Sequence, residues 1–521
     1  MNVLFAMMFA AVAGTDWRGG ITLWSIEQPY RNVAPARNLA EMSYCNPCAP
    51  FFLSRDGRYL WSDQPFAYSV SNGVLSVSGG EPQIVKAGST LREAYLAAMR
   101  AHFPPSGKMP LEDFFVKPQY NTWIESRLTT NTQQMVEEYV EAIHRNRMPC
   151  GILMVDDGWA ATPGDLAFDS ERFPDPKRLF ARIHHAGMRG MVWVTPYINL
   201  SSEFYRANAG SPLFYKNQTT GKDAVFNFYP GVPDAACLDL TRRENWAPIK
   251  ARYDRFLAEY GIDGFKFDFT DAECLRRPES RPPDAIPAGH HPVEGTEAWG
   301  DFAVWGFPYH ELRAGWKFGG KPIVVRLQDK SHSWKDLQQL IPDMISAGLL
   351  GCPFVCPDMI GGGASDTFAH LDRKLFIRSC EVQALMPMMQ FSCAPWRVLD
   401  AEGLAICRRM SELHVRFAPY ILACARKAAE TGEPIVRAME YSFPHKGYDR
   451  PLQQYMLGED FLVAPVVSED DSVTVLLPEG VWLDDLENRH VGPKEMKLEN
   501  VPLGRLPYFK RQSSKKDIQQ L

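Results

Sequence analysis

The sequence predicts an α/β protein: a (β/α)8 TIM barrel flanked by an N-terminal β-sandwich-like domain and a C-terminal β-sandwich. Three observations predict it. From about Gln119 short apolar runs alternate with amphipathic helical stretches, the pattern of a parallel sheet with crossover helices. Before that region, and again after about Pro434, the chain reads as short strands separated by turns. Carboxylates recur where the central apolar runs end, which is where a barrel builds its site. The domains expected are 14–115, 116–415 and 416–521, behind a leader over 1–13.

The leader rests on the apolar run Val3 to Ala13, which ends in Ala11-Val12-Ala13 like a signal-peptidase site but has no Lys or Arg before it. It would place the protein outside the cytoplasm, as a periplasmic, secreted or lumenal protein; the rival reading is a buried N-terminal strand. In the first domain Val74-Leu-Ser-Val-Ser78 alternates, and Asn72-Gly73 ahead of it is a hairpin signal. In the barrel region Ile152-Leu-Met-Val155 is a buried strand, preceded by a helix with Met135, Val136, Tyr139, Val140 and Ile143 on one face. Met191-Val-Trp-Val194 is another, preceded by a helix holding Leu179, Phe180 and Ile183 and closed near Gly187. Thr241-Arg-Arg-Glu244 reads as a capping box for a helix with Trp246, Ile249, Tyr253 and Phe256 that stops at Gly261. Ile323-Val-Val325, Phe354-Val355 and Met386 to Phe391 continue the series, and the tail carries Phe461 to Val467 and Val473 to Leu477 as strands.

Composition narrows the function. A net charge of −6 argues against nucleic acid or an anionic membrane surface as partner, and no stretch is long and apolar enough to span a bilayer. Of eleven cysteines, Cys45-Asn-Pro-Cys48 forms the one CxxC, with no second to complete a zinc site, so no metal or cofactor is expected. Cys45 and Cys48 would suit a local disulfide in an exported protein, whereas Cys352 and Cys356 read as small buried hydrophobes. His184-His185 and His290-His291 lack a Glu at zincin spacing. Gly361 to Gly363 would suit a phosphate cradle, but Asp358 just before it repels phosphate.

The segment Gly261-Ile-Asp-Gly-Phe-Lys-Phe-Asp268 is the most informative. Lys266 and Asp268 are two apart on a strand and so share a face, while Phe265 and Phe267 take the other. A cation beside a carboxylate keeps it ionised, as a nucleophile requires; a buried ion pair without chemistry is the plain alternative. Other strand ends supply Asp156-Asp157-Gly-Trp159, Trp193, Arg326-Leu-Gln-Asp329 and Asp358. Any one of these carboxylates reads equally as a helix N-cap. Together they suit glycoside hydrolysis, in which one carboxylate attacks the anomeric carbon and a second protonates the leaving oxygen. That second group needs a raised pKa, expected from partial burial near another carboxylate.

From Asn121 to Leu483 the chain resembles glycoside hydrolase family 31, and within it the α-galactosidase branch that holds the mammalian myogenesis-regulating glycosidase. The motifs are Asn121-Thr-Trp123, Val155-Asp-Asp157, Phe265-Lys-Phe-Asp268, Arg326-Leu-Gln-Asp329-Lys-Ser-His-Ser-Trp334 and Pro357-Asp-Met-Ile-Gly-Gly362, followed by Met386 to Ser392, Pro434-Ile-Val-Arg437 and Leu477 to Trp482. The resemblance implies a retaining, exo-acting α-glycosidase, with Asp268 as nucleophile and Asp329 as acid/base. It also implies that Trp123, Asp156, Asp157, Trp193, Lys266, Arg326 and Asp358 line the sugar subsite. Phe269-Thr270-Asp271 replaces the branch's usual Ala-Gly-Glu, and Ser331-His332-Ser333 also departs from the pattern, so the sugar is less fixed than the chemistry. A terminal α-galactose of an oligosaccharide or glycoside is expected first. α-Glucoside, α-xyloside or sulfoquinovoside hydrolysis, transglycosylation and a carbohydrate-binding pseudoenzyme are the alternatives. Nothing in the sequence fixes an oligomeric state.

Overall fold

The protein was analysed as a computed structural model that describes residues 9–13, 16–31, 34–41, 46–126, 131–162, 164–226, 234–269, 285–287, 290–365, 371–449 and 453–512. Its centre is a closed parallel barrel of Gln119–Asn121 (β1), Ile152–Val155 (β2), Arg189–Val194 (β3), Gly264–Phe267 (β4), Tyr309–Leu312 (β5), Val325–Arg326 (β6), Val355–Cys356 (β7) and Gln390–Phe391 (β8). From β1 to β7 each strand pairs in parallel with the next. β8 returns to β1 through Gln390 opposite Gln119, and a parallel bridge between Ile360 and Phe391 joins the β7 side to β8. β2, Ile152-Leu-Met-Val155, reads as a continuous apolar run because helices cover the outer face of the barrel.

Alternation along β4 works as expected. Phe265 and Phe267 point outward, with ring centroids 5.1 Å from Tyr253 and 5.0 Å from Trp299 on the flanking helices Trp246–Tyr260 and Pro292–Gly306. Lys266 points inward and is buried. The Trp246–Tyr260 helix stops at Gly261, whose φ of 72° lies in the left-handed region that ends helices. Its start differs from the expected capping box: the Thr241 hydroxyl donates to Asp239 (2.5 Å) and Glu244 pairs with Arg242 (2.7 Å), so a 3-10 turn over Arg243–Asn245 leads in instead. Local carboxylate and guanidinium partners compete for the capping groups.

The N-terminal region is two sheets. Phe9–Ala13, Val74–Ser78, Ala67–Ser71 and Ala34–Asn38 form one, with a tight hairpin whose turn residues Asn72 and Gly73 have φ of 50° and 76°. Arg18–Ile21, Pro47–Ser54, Arg58–Trp61 and Gln83–Lys86 form the other. Trp17, Phe52, Leu60, Tyr68 and Leu75 fill the space between, joined by Trp316 from the barrel. The two-residue strand Gly315–Trp316, just past β5, adds in parallel to Pro47–Cys48, stitching the barrel to this domain. Phe9–Ala13, within the run read as a leader, pairs along its length with Val74–Ser78; residues 1–8 lie outside the described residues. Cys48 is a free, buried thiol whose pKa burial pushes up, and Cys45 lies outside the described residues.

The expected boundary at 416 falls inside the 31-residue helix Ala401–Thr431, in which Ile406, Met410, Leu413, Ile421, Leu422 and Ala425 keep one buried face until Gly432 ends it. Strand structure begins only at Val436. Six antiparallel strands follow, in the order Val436–Arg437, Tyr455–Leu457, Phe461–Val463, Tyr508–Arg511, Val473–Asp484 and Arg489–Leu498. Among the described residues no helix is long and apolar enough to cross a membrane.

Candidate active site

The carboxyl ends of the barrel strands bring most of the expected polar residues together. Lys266 comes first because its partner differs from the expected one. Its Nζ lies 2.6 Å from Asp156 Oδ2 at the end of β2, with both side chains under 5% exposed. Asp156 Oδ1 accepts the Asp157 N–H (2.8 Å), and Asn131 Nδ2 donates to the carbonyls of both aspartates. Asp157 in turn accepts the Gly158 N–H (2.6 Å). Asp268 follows β4 directly, its N–H still bonded to the Val194 carbonyl (2.9 Å), while the Lys266 ammonium reaches to the end of β2 rather than along its own strand.

Asp268 has two hydrogen-bond donors and an ion-pair partner of its own. Oδ1 accepts the Phe269 N–H (2.8 Å) and lies 3.0 Å from Arg313 Nε, while Oδ2 accepts Trp193 Nε1–H (2.9 Å). Burial works to raise the pKa of this carboxyl, but Arg313, then Lys266 and the Trp193 hydrogen bond, hold it below the ordinary range. Phe269 is in the left-handed region (φ 58°), an uncommon conformation for a bulky residue that turns its N–H back onto Asp268. Its ring stands edge-on to Trp193, and the Arg313 guanidinium lies 5.4 Å from its centre. Thr270 and Asp271 lie outside the described residues.

Arg313, which the sequence reading did not single out, is the hub. Besides Asp268 it contacts Asp329, Nη1 to Oδ2 at 2.6 Å, so one guanidinium bridges the carboxylates at the ends of β4 and β6. The other Asp329 oxygen faces Arg326 Nη1 (2.8 Å), which is also 3.0 Å from Asp358 Oδ1. Asp358 Oδ2 accepts the Lys330 N–H (2.6 Å). Asp329 therefore departs from the raised pKa expected of it. Burial favours its neutral form, but Arg326, Arg313 and Lys266 pull it down to about 2. Asp358 carries the upward shift, to about 7: burial dominates, Arg326 opposes, and the Asp329 charge adds. Glu311 on β5 completes the interior network, 3.7 Å from Arg326 Nε and accepting from Gln390 Nε2 at 2.8 Å; burial pushes its pKa up.

Trp123, after β1, donates its indole N–H to the Gly363 carbonyl (2.6 Å). The glycine loop does not offer its N–H groups to an anion: Gly362 donates to Met359, and Gly363 and Ala364 both donate to Lys330. His184 faces Asp263 and His290 faces Glu294 (2.8 and 2.6 Å), as surface pairs. Among the described residues no group of three or more His, Cys, Asp or Glu is set to hold a metal ion.

Residues 119–307 and 308–424 match the TIM-barrel domain model of glycosyl hydrolases family 31, and 432–514 match that family's C-terminal domain. The chain belongs to family 31. It is 30% identical over 412 residues to the myogenesis-regulating glycosidase of Mus musculus, an overlap of 76% of this chain and 56% of that protein. It is 23% identical over 438 residues to alpha-glucosidase 2 of Bacillus thermoamyloliquefaciens, covering 78% and 54% respectively. It thus spans a little over half the length of these curated relatives. In fold it is similar to the family 31 dextranase of Flavobacterium johnsoniae complexed with glucose, with a TM-score of 0.81 at 19% identity over 99% of this chain and 67% of that one.

Proposed function

We propose that the protein is a retaining, exo-acting α-glycosidase in which Asp268 is the nucleophile and Asp329 the acid/base, acting on a terminal α-linked sugar of an oligosaccharide or glycoside. The observation that carries the reading is the Arg313 bridge. Two carboxylates held by one guanidinium, at 3.0 and 2.6 Å, lie close enough to act on one sugar, as the carboxylate pair of a retaining glycosidase does. Asp268 is ionised and aimed by Trp193 Nε1–H and the Phe269 N–H, which suits attack on the anomeric carbon. Asp329 then protonates the departing oxygen and, in the second step, takes a proton from the attacking water.

For the sugar, the reading takes α-galactose first and α-glucose second. The motifs quoted above, through the branch they resemble, support the first choice, and the bacterial alpha-glucosidase supports the second. The mechanistic test is to trap the glycosyl-enzyme with a fluorinated α-glycosyl fluoride and map it by peptide mass spectrometry. A label on Asp268 is expected; a label elsewhere, or an inverted product in the NMR spectrum of the fresh anomer, would overturn the assignment.

A further inference from the structure

We propose that Asp358 is the proton-holding partner of Asp329, the two carboxyls acting as one acid that carries a single shared proton in the resting enzyme. The inference rests on Asp329 being the acid/base and supplies what that assignment lacks, a source for its proton. Arg326 Nη1 lies 2.8 Å from Asp329 Oδ1 and 3.0 Å from Asp358 Oδ1. A Cβ built on Gly363 would stand 2.6 Å from the first oxygen and 2.9 Å from the second, so both face one small gap floored by a glycine. Two carboxyls in such a gap do not both ionise readily, and their titration belongs to the pair.

Their surroundings decide which one holds the proton. Asp329 touches two guanidiniums, Arg326 and Arg313, and its side chain is 25% exposed. Asp358, 2% exposed, has a share of one guanidinium, Arg326, and otherwise backbone N–H groups, those of Lys330 and Met359. The other charged or titratable groups near the pair are Lys266 on β4, Glu311 on β5, the Lys330 ammonium and the Cys356 thiol on β7. Of these the ammonium is turned away onto Asp343 (2.8 Å), and Glu311 lies against Arg326. The upward shift of Asp358 and the downward shift of Asp329 agree with that asymmetry.

A sugar entering between Asp268 and Asp329 takes the place of the Arg313 contact, so Asp329 loses one of its two cations and becomes the better base of the pair. The proton then passes from Asp358 to Asp329 across the gap. Asp329 gives it to the leaving oxygen as the glycosidic C–O bond breaks, and water returns a proton to the pair when the glycosyl-enzyme is hydrolysed. Asp358 touches no reacting atom; it is a positioning residue.

Infrared difference titration of the full chain tests this without requiring turnover. Subtracting Asp358→Asn from wild type cancels Glu381, which also titrates near neutrality, and should leave one carboxylic-acid C=O band with a midpoint near 7. In Asp329→Asn the same subtraction should show that midpoint lowered by about one pH unit or more, because the neighbouring charge is gone. A midpoint that Asp329→Asn leaves in place, or no such band, overturns the proposal. In turnover, Asp358→Asn should move the alkaline limb of kcat/KM down by about one unit or more. A variant that loses rate with its limb unmoved would mean a purely structural role. Failure to trap a label on Asp268 would overturn the catalytic assignment instead, and the infrared result stands apart from it.

Discussion

Lys266 Nζ, on β4, and Asp156 Oδ2, just past β2, form a buried contact of 2.6 Å, which ties opposite sides of β3 through the barrel interior. Breaking such a pair from one side leaves a charge without its partner, at a cost of about 3–5 kcal/mol. Lys266→Met should therefore destabilise the protein by about that much in denaturant unfolding, and Lys266→Met with Asp156→Leu should regain most of it. Equal loss in the single and double variants would count against the pairing.

The cation that keeps Asp268 ionised is chiefly Arg313. Its removal raises the folded pKa of Asp268, so the acid limb of the activity profile, which requires the carboxylate, moves to higher pH. Arg313→Met should shift that limb further than Lys266→Met does. The reverse order would mean that Arg313 binds sugar without tuning the nucleophile.

Asp268→Asn should keep the fold, read by circular dichroism, and lose several orders of magnitude in kcat. A variant retaining more than about a tenth of the wild-type rate would have lost only about 1.4 kcal/mol of barrier stabilisation, too little for a nucleophile.

Asp329→Ala should spare aryl glycosides with good leaving groups and cripple sugar leaving groups, since an activated phenolate needs little protonation. Azide should restore deglycosylation and give a product of retained configuration. Equal loss on both substrate classes would point away from acid/base chemistry.

Glu381 ties the barrel to the C-terminal domain: it pairs with Arg378 (2.7 Å) and accepts the Gly504 N–H (2.6 Å), and burial raises its pKa to about 7. A raised folded pKa means the folded state binds the proton more tightly. That stabilisation is full below the unfolded value near 4.3 and is lost as pH rises through about 7. Stability should fall across this window, and Glu381→Gln should flatten the fall. An unchanged pH slope in the variant would show that Glu381 ionises as easily folded as unfolded.

Matched aryl α-galactoside and α-glucoside should separate by kcat/KM in favour of galactose. The two sugars differ at the 4-hydroxyl, and a buried partner left unpaired by the wrong epimer discriminates strongly. Asp156 and Asp157 are the carboxylates proposed to read it. Preference for glucose would remove the galactose assignment and leave the mechanism untouched.

The sequence made the barrel, its flanking sheets and Lys266, Asp268, Arg326, Asp329 and Asp358 legible because all lie on or just past apolar runs of recognisable period. β5 escaped notice for the opposite reason. Tyr309-His-Glu-Leu312 buries two polar side chains, and their partners, the Phe307 carbonyl for His310 and Gln390 and Arg326 for Glu311, include groups on distant strands that no local pattern reveals. Arg313 went with it, although Glu311-x-Arg313 repeats the same two-residue spacing as Lys266-x-Asp268. The boundary at 416 failed because a helix of unbroken amphipathic spacing runs through it to Gly432.

The seam formed by Gly315–Trp316 bears on how such an enzyme can be rebuilt. Trp316 stands three positions after Arg313 and is buried among the residues of the N-terminal sheets, so the guanidinium between the two carboxylates is indexed to a module outside the barrel. Chimeras with a crossover at Gly432 should inherit a working centre, because the helix ends there. Chimeras that exchange everything before β1 would have to import Pro47 and Cys48 as well, or leave Trp316 and the Arg313 turn without an anchor. The strands Tyr197–Asn199, Val225–Phe226 and Ala235–Cys237, inserted after β3, sit outside that seam and offer a separate place to vary the outer cleft.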